Sequence, residues 1–343
     1  MSDLHETARS LVAEGKGILA VDESAGTIKK RFDSIGVEST DETRHAYREL
    51  LLMTPGAEAH ISGVILFDET IRQSASDGTP FTRHLEASGV IPGIKVDKGA
   101  KPLALAEGET VTEGLDGLRE RFEEYRSLGA RFAKWRATYS IGGGRPSEYC
   151  VWVNAHALAR YAALAQEAGL VPIVEPEVLM DGTHTIEEAA KASGRVLQAV
   201  FTELHDQRID LRGTLLKANM VLSGYEADTR AGPDDVAERT LECLYRHVPA
   251  AVPGIVFLSG GQTDEDATVH LNAMNLRGPH PWQLSFSFGR ALQSPALKAW
   301  GGKPEHVVAA QHAYLHRATM NGAARSGSYT PELEREAGAA TRS

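Results

Sequence analysis

The sequence predicts an α/β fold, a TIM (β/α)8 barrel with additional N- and C-terminal helices, and three observations carry that prediction. Eight short apolar runs recur along the chain, at residues 17–22, 64–68, 93–97, 131–136, 171–178, 213–220, 254–260 and 284–289. Helical segments separate them, and successive starts lie about 30 to 47 residues apart, room for a strand, a loop and one or two helices. In most runs the side chains begin apolar and turn polar toward the C-terminal end, where such barrels carry their chemistry.

The chain opens with a polar, amphipathic segment in which Leu4, Ala8, Leu11 and Val12 recur at helical spacing. In the first strand Ile18, Ala20 and Asp22 share a face, because successive side chains alternate. The same alternation groups Gly93 with Lys95 and Asp97, Phe132 with Lys134 and Arg136, and Ile173 with Glu175 and Glu177. It also pairs Leu215 with Lys217 and Phe257 with Ser259. Helices are expected at 41–52, 115–128, 153–168, 186–206, 233–247 and 304–321. Thr263-Asp264-Glu265-Asp266 opens another with a capping-box-like pattern. After Gly327 the chain turns to Ala, Gly and Glu around Pro331, so 328–343 is expected to be a flexible tail. No low-complexity linker interrupts the chain, and residues 1–343 read as a single domain.

Composition narrows the partners. Hydrophobic residues make up 42%, enough for a large core, yet no stretch of ~20 apolar residues would span a membrane. A net charge of −10 argues against nucleic acid as a partner and requires a local cationic pocket for any anionic substrate. The N-terminus lacks the parts of a signal peptide, and the two cysteines, Cys150 and Cys243, cannot build a disulfide framework, which suits a cytoplasmic protein. Both cysteines lack a nearby basic context and read as structural thiols. Thirteen histidines are scattered; only His312 and His316 have ligand spacing on a helix, and no acidic motif accompanies them. No metal and no cofactor is expected.

The chemistry centres on Lys217, which follows two leucines inside an apolar strand with no carboxylate within several residues. An ordinary lysine, with a pKa of ~10.4, is unprotonated only about once in 2,500 at pH 7. Burial and neighbouring cations lower that value, and the neutral amine then attacks a carbonyl to form an imine. The alternative is a lysine whose stem packs while its ammonium reaches water. Lys95, Lys134 and Lys217 should point into one barrel mouth, where crowding of ammonium groups would depress each. Glu175 is placed to be tuned upward as a general acid and base, and Asp22 to orient or deprotonate a hydroxyl. Glu177 has the simpler option of balancing Arg136 or a lysine. Ser259-Gly260-Gly261 ends a strand just before a helix, where N–H groups cradle anions, and Ser287-Phe288-Gly289-Arg290 ends the next. Ser24, Thr27, Lys30 and Arg31 follow the first strand and could hold a second phosphate, or could simply be the exposed turn of a helix.

Taken in order, these motifs resemble the class I, Schiff-base fructose-bisphosphate aldolases over nearly the whole chain. The matching segments are Gly17-Ile18-Leu19-Ala20-Val21-Asp22-Glu23-Ser24, Gly93-Ile94-Lys95-Val96-Asp97-Lys98-Gly99 and Ala133-Lys134-Trp135-Arg136. They continue through Val174-Glu175-Pro176-Glu177, Leu215-Leu216-Lys217, Phe257-Leu258-Ser259-Gly260-Gly261-Gln262 and Gly289-Arg290-Ala291-Leu292-Gln293. The resemblance implies that Lys217 forms the Schiff base, Glu175 shuttles protons, Asp22 assists deprotonation of the carbon-4 hydroxyl and Lys134 supplies positive charge. It implies a carbon-1 phosphate at Ser259, Gly260, Gly289 and Arg290, and the other phosphate near Lys95, Ser24, Thr27 and Arg31. It also implies a homotetramer and a sugar-phosphate substrate. Two positions depart from the animal members. Ala218 follows the lysine where proline is usual, and the chain closes on Ala340-Thr341-Arg342-Ser343 instead of a tyrosine, its last tyrosine being Tyr329. The competing readings are another Schiff-base aldolase or a transaldolase, a metal-dependent aldolase, and a sugar-phosphate-binding scaffold without turnover.

Overall fold

The computed structural model describes residues 2–340 and closes the predicted barrel. Its strands are β1 (Gly17–Val21), β2 (Ile61–Leu66), β3 (Ile91–Lys95), β4 (Phe132–Tyr139), β5 (Val171–Val178), β6 (Leu215–Ala218), β7 (Gly254–Phe257) and β8 (Gln283–Phe288). All neighbours are parallel, and β8 returns to pair with β1, with Ile18 opposite Ser287. Closure leaves no strand edge to protect and directs the C-terminal ends of all eight strands to one rim. A short antiparallel pair, Ala100–Pro102 with Thr110–Thr112, sits outside the barrel.

The period-two reading of the strands explains the two cores. Ile18, Ala20, Phe132, Ile173, Leu215 and Val256 turn inward and pack together, while Leu19, Val21, Ala133, Trp135, Val174 and Leu216 turn out against the helices. The inner core is closed from below by the first helix, Ser2–Leu11, whose Leu4, Ala8 and Leu11 join it. That accounts for the spacing of apolar residues at the start of the chain. Gly93 is required by this packing: a Cβ there would enter the Phe132 ring, which fills the barrel axis.

Several boundaries differ from the sequence expectation. The strand expected at 254–260 stops at Phe257, and Phe257 packs outward, so Phe257 and Ser259 do not share an inner face; Val256 is the inward residue. Ser259 reaches the rim from the turn beyond the strand. The helix expected at 153–168 runs over Glu148–Glu167, N-capped by Ser147, whose side chain accepts from the N–H of Cys150. Helices Ala25–Asp33, Phe81–Ala87 and Arg290–Trp300 were not among the expected elements. Within the stretch expected to be a flexible tail, Pro331–Ala340 is helical. Its Glu334 meets His316 at 2.8 Å, Tyr329 at 3.0 Å and the buried Arg317. Residues 341–343 lie outside the described part.

Candidate active site

A cleft of about 620 Å³ opens at the C-terminal rim of the barrel. It is lined by residues from the ends of β1, β3, β4, β5 and β6 and from the turns after β7 and β8. Every candidate residue of the sequence reading except Gly261 lines it: Asp22, Ser24, Thr27, Arg31, Lys95, Lys134, Arg136, Glu175, Glu177, Lys217, Ser259, Gly260, Gly289 and Arg290. Gly261 is the next residue of the same turn.

Register explains the proximity of the charged groups. Lys95 lies opposite Lys134, and Arg136 opposite Glu175, on neighbouring parallel strands. The inward face therefore interleaves cations and carboxylates. Lys134 is 3% exposed, and its Nζ stands 2.8 Å from Asp22, 3.1 Å from Glu175 and 3.9 Å from Asp97. Lys217 is 4% exposed, with its Nζ 3.2 Å from the other oxygen of Glu175. Glu175 thus bridges two ammonium groups. Its Oε2, although close to Lys134, makes no well-aligned hydrogen bond and keeps an acceptor position unfilled. Lys95 stands 3.5 Å from Asp97.

This interleaving corrects two electrostatic expectations. Crowding of lysines does not depress Lys134. Burial pushes it down, but Asp22, Glu175 and Asp97 outweigh burial, and its affinity for the proton is raised. Nor is Glu175 tuned upward in the unliganded site. Burial alone would raise it, yet Lys134, Lys217 and Arg136 hold it below the usual carboxylate range. Asp22 is held low in the same way, by Lys134, Lys217 and Lys95 against its burial. The site is thus a preformed lattice of ions, with Lys134 a fixed cation between two fixed anions. Glu177 takes the simpler option open to it and accepts from Nε of Arg136.

The rim gathers exposed N–H groups and cationic side chains. Gly289 and Arg290 begin the helix Arg290–Trp300, whose first N–H groups have no partner within the helix. Gly260 and Gly261 have φ of +57° and +92°, a left-handed pair that glycine adopts at little cost and that turns successive N–H groups into a concave nest. Ser24 caps the helix Ala25–Asp33, with its hydroxyl 3.1 Å from that of Thr27. Arg31 lies nearer Gly289 than its place in the chain suggests: a Cβ on Gly289 would come 3.7 Å from Arg31 Nη2.

Sequence reasoning gave no role to Glu23 and Asp97. Glu23 is buried and binds Arg31 at 2.5 Å and Arg48 at 2.6 Å, fixing the first of these in the cleft. Asp97 was seen only as a member of a face, yet it touches both Lys95 and Lys134. Ser287 lines the cleft with a buried hydroxyl that has no hydrogen-bond partner among the described residues. Its place at the end of β8 agrees with the reading of 287–290 as a phosphate segment, and its inward position follows from alternation. Away from the cleft, His316, one of the two histidines at ligand spacing, is engaged by Glu334, and no cluster of potential metal ligands occurs among the described residues. Both cysteine thiols are buried and pushed up to about 11 by that burial.

Comparisons with known proteins agree on one family. The model of the family "Fructose-bisphosphate aldolase class-I" matches residues 3–342. A probable fructose-bisphosphate aldolase class 1 of Xylella fastidiosa is 57% identical over 330 residues, covering 96% of this chain and 99% of that protein. The cytosolic fructose-bisphosphate aldolase 6 of Arabidopsis thaliana is 54% identical over 339 residues, covering 98% and 94%. Among solved structures, the Plasmodium falciparum aldolase, crystallised with TRAP and a small-molecule inhibitor, superposes with a TM-score of 0.95 at 49% identity, covering 96% of this chain and 95% of that one. With a matching family model along practically its whole length and relatives more than half identical to it, the chain belongs to the class-I fructose-bisphosphate aldolases, a family of lyases.

Proposed function

We propose that the protein reversibly cleaves fructose 1,6-bisphosphate to dihydroxyacetone phosphate and glyceraldehyde 3-phosphate through a Schiff base on Lys217. The observation that carries the reading is the chain of contacts Lys217–Glu175–Lys134–Asp22 at the floor of an anion-binding cleft. Glu175 stands 3.2 Å from the Lys217 ammonium, within reach to take its proton as the amine adds to the ketone. The free amine adds to the ketone carbon. Glu175 then returns its proton to the leaving hydroxyl, which departs as water and leaves the iminium. Asp22 accepts the proton of the carbon-4 hydroxyl as the carbon–carbon bond breaks, and the bonding electrons pass into the iminium to give the enamine. Lys134, always charged, offsets the repulsion between Asp22 and Glu175 and faces the developing charge.

Ser259, Gly260, Gly261, Gly289 and Arg290 would hold the carbon-1 phosphate, while Lys95, Ser24 and Thr27 would hold the other. Arg31, set beside Gly289, can serve either. Arg136 with Glu177 would order the sugar hydroxyls between the phosphates. We place the activity in glycolysis and gluconeogenesis, in the cytoplasm, in a homotetramer. Support for the compartment comes from relatives named as cytosolic, and no helix among the described residues is long and apolar enough to cross a membrane.

The test is to incubate the protein with dihydroxyacetone phosphate, reduce with borohydride and map the added mass. An adduct on the peptide containing Lys217, with matching loss of activity, is the expected result. No adduct on a folded protein would overturn the imine mechanism.

A further inference from the structure

The turn that would receive the carbon-1 phosphate is held from behind by a residue outside the cleft lining, Tyr225. Its hydroxyl donates to the carbonyl oxygen of Gly260. The tyrosine is itself firmly placed. Its N–H donates to the carbonyl of Met180 at 2.9 Å, and the neighbouring N–H groups of Gly224 and Glu226 donate to His184 and Gly182 at 2.8 and 3.0 Å. Residues 224–226 are thereby stitched to the loop after β5. The approach is so close that a Cβ on Gly224 would overlap the Gly182 carbonyl. Arg230 covers the tyrosine ring, 5.4 Å from its centroid.

The bond to Gly260 has a directional consequence. The Gly260 carbonyl and the Gly261 N–H belong to one planar trans peptide, so they point in opposite directions. Tethering the oxygen therefore fixes the aim of the N–H. Without a tether, two consecutive glycines at +57° and +92° would be free to flip that peptide. Neither Gly260 nor Gly261 donates its N–H to a protein acceptor among the described residues, which leaves both for a ligand. Arg290 converges on the same spot: a Cβ on Gly261 would lie 3.1 Å from the Tyr225 hydroxyl and 2.9 Å from Arg290 Nη2.

We propose that Tyr225 is a positioning residue for phosphate: its hydroxyl locks the Gly260–Gly261 peptide so that the N–H groups of the turn face the anion. It acts through the turn and does not touch substrate. The proposal rests on the assignment of a phosphate to Ser259-Gly260-Gly261. Burial pushes the Tyr225 phenol up to about 12, so the donor keeps its proton at working pH.

The test uses the full chain and inorganic phosphate as a competitive inhibitor. In Tyr225→Phe, which keeps the ring and removes the donor, the phosphate inhibition constant and the KM for the bisphosphate should rise about five- to tenfold. The kcat should stay within about twofold. Arg230→Met, which loosens the ring and keeps the hydroxyl, should leave phosphate affinity unchanged. Unchanged affinity in folded Tyr225→Phe, or equal losses in the two variants, would overturn the proposal. Arg290→Ala separates the underlying assignment: if it also leaves phosphate affinity unchanged, the turn is not the phosphate site. If it weakens phosphate while Tyr225→Phe does not, only the role of Tyr225 fails. Hydrogen exchange on the wild-type chain adds a test that needs no variant. Phosphate should protect the amides of Gly260 and Gly261, and unprotected amides would overturn the proposal.

Discussion

Replacing Lys134 by methionine tests the ion lattice most directly. The variant keeps a side chain of similar length and removes one charge from between Asp22, Glu175 and Asp97, at 2.8, 3.1 and 3.9 Å. Two effects are expected. Removing one partner from a buried ion pair costs about 3–5 kcal/mol, because the remaining carboxylates stay buried without compensation. For a chain of 343 residues the unfolding entropy is on the order of 0.7 kcal/mol per kelvin, so the Tm should fall by about 4–7 °C. A second change, Glu175→Gln on top of Lys134→Met, removes the excess carboxylate and should recover part of that loss.

The second effect is on pH dependence. Glu175 and Asp22 sit below their ordinary range in the native protein, so the stability they contribute is present above pH ~4.5 and is lost as pH falls through the depressed native values. Without Lys134, burial is the largest influence left on Glu175, and Lys217 with Arg136 opposes it less completely. The acid limb of kcat/KM should therefore move upward by about 1–3 pH units. Calorimetry and a pH–rate profile on the purified variant measure both effects. A Tm within a degree of wild type together with an unmoved acid limb would refute the lattice argument.

Three further outcomes are expected from particular contacts. Glu334→Gln, or truncation after Thr330, takes from buried Arg317 the nearer of its two carboxylates and leaves it Asp264 at 3.9 Å. Either change should cost about 2 kcal/mol in melting experiments while kcat is kept. Burial would raise Glu334, yet His316 and Arg317 hold it down at about 2. Its contribution should therefore fade as pH drops from ~4.5 toward 2, in acid titrations followed by circular dichroism. Gly93→Ala should lower stability by about 1–3 kcal/mol in denaturant unfolding, since its Cβ would enter the Phe132 ring. Lys95→Ala should raise KM for the bisphosphate about tenfold and for fructose 1-phosphate much less, and equal effects in steady-state kinetics would remove Lys95 from the second phosphate site.

How much of the molecule was legible in the sequence depended on how local the governing rule was. Alternation within one strand is a rule of two residues, and it put Lys134, Glu175 and Lys217 on the inward face without any knowledge of neighbours. The same rule failed at Ser259, because β7 ends at Phe257 and the turn re-aims the residues beyond it. The helix in the tail was illegible for a different reason. Its composition is that of a mobile segment, yet Glu334 finds Arg317 and His316 on the helix that precedes it in the chain. Glu23 was invisible because its partners, Arg31 and Arg48, come from two different helices, Ala25–Asp33 and Asp41–Leu52, which only the tertiary fold brings together.

The electrostatic expectations erred on the same principle. Three lysines read from sequence imply mutual repulsion, because a strand-by-strand reading counts like charges and cannot see register. In the barrel, the parallel register sets β4 between β3 and β5, so Lys134 meets carboxylates from both sides and from β1 across the mouth. A cation so placed is a poor nucleophile and a good fixed charge, whereas Lys217, at the edge of the lattice, faces a single carboxylate whose other oxygen already answers to Lys134. The division of labour proposed for the two lysines thus rests on where each strand sits in the order of the barrel. Both follow apolar residues and both are buried to a similar depth, so composition and burial alone would not have separated them.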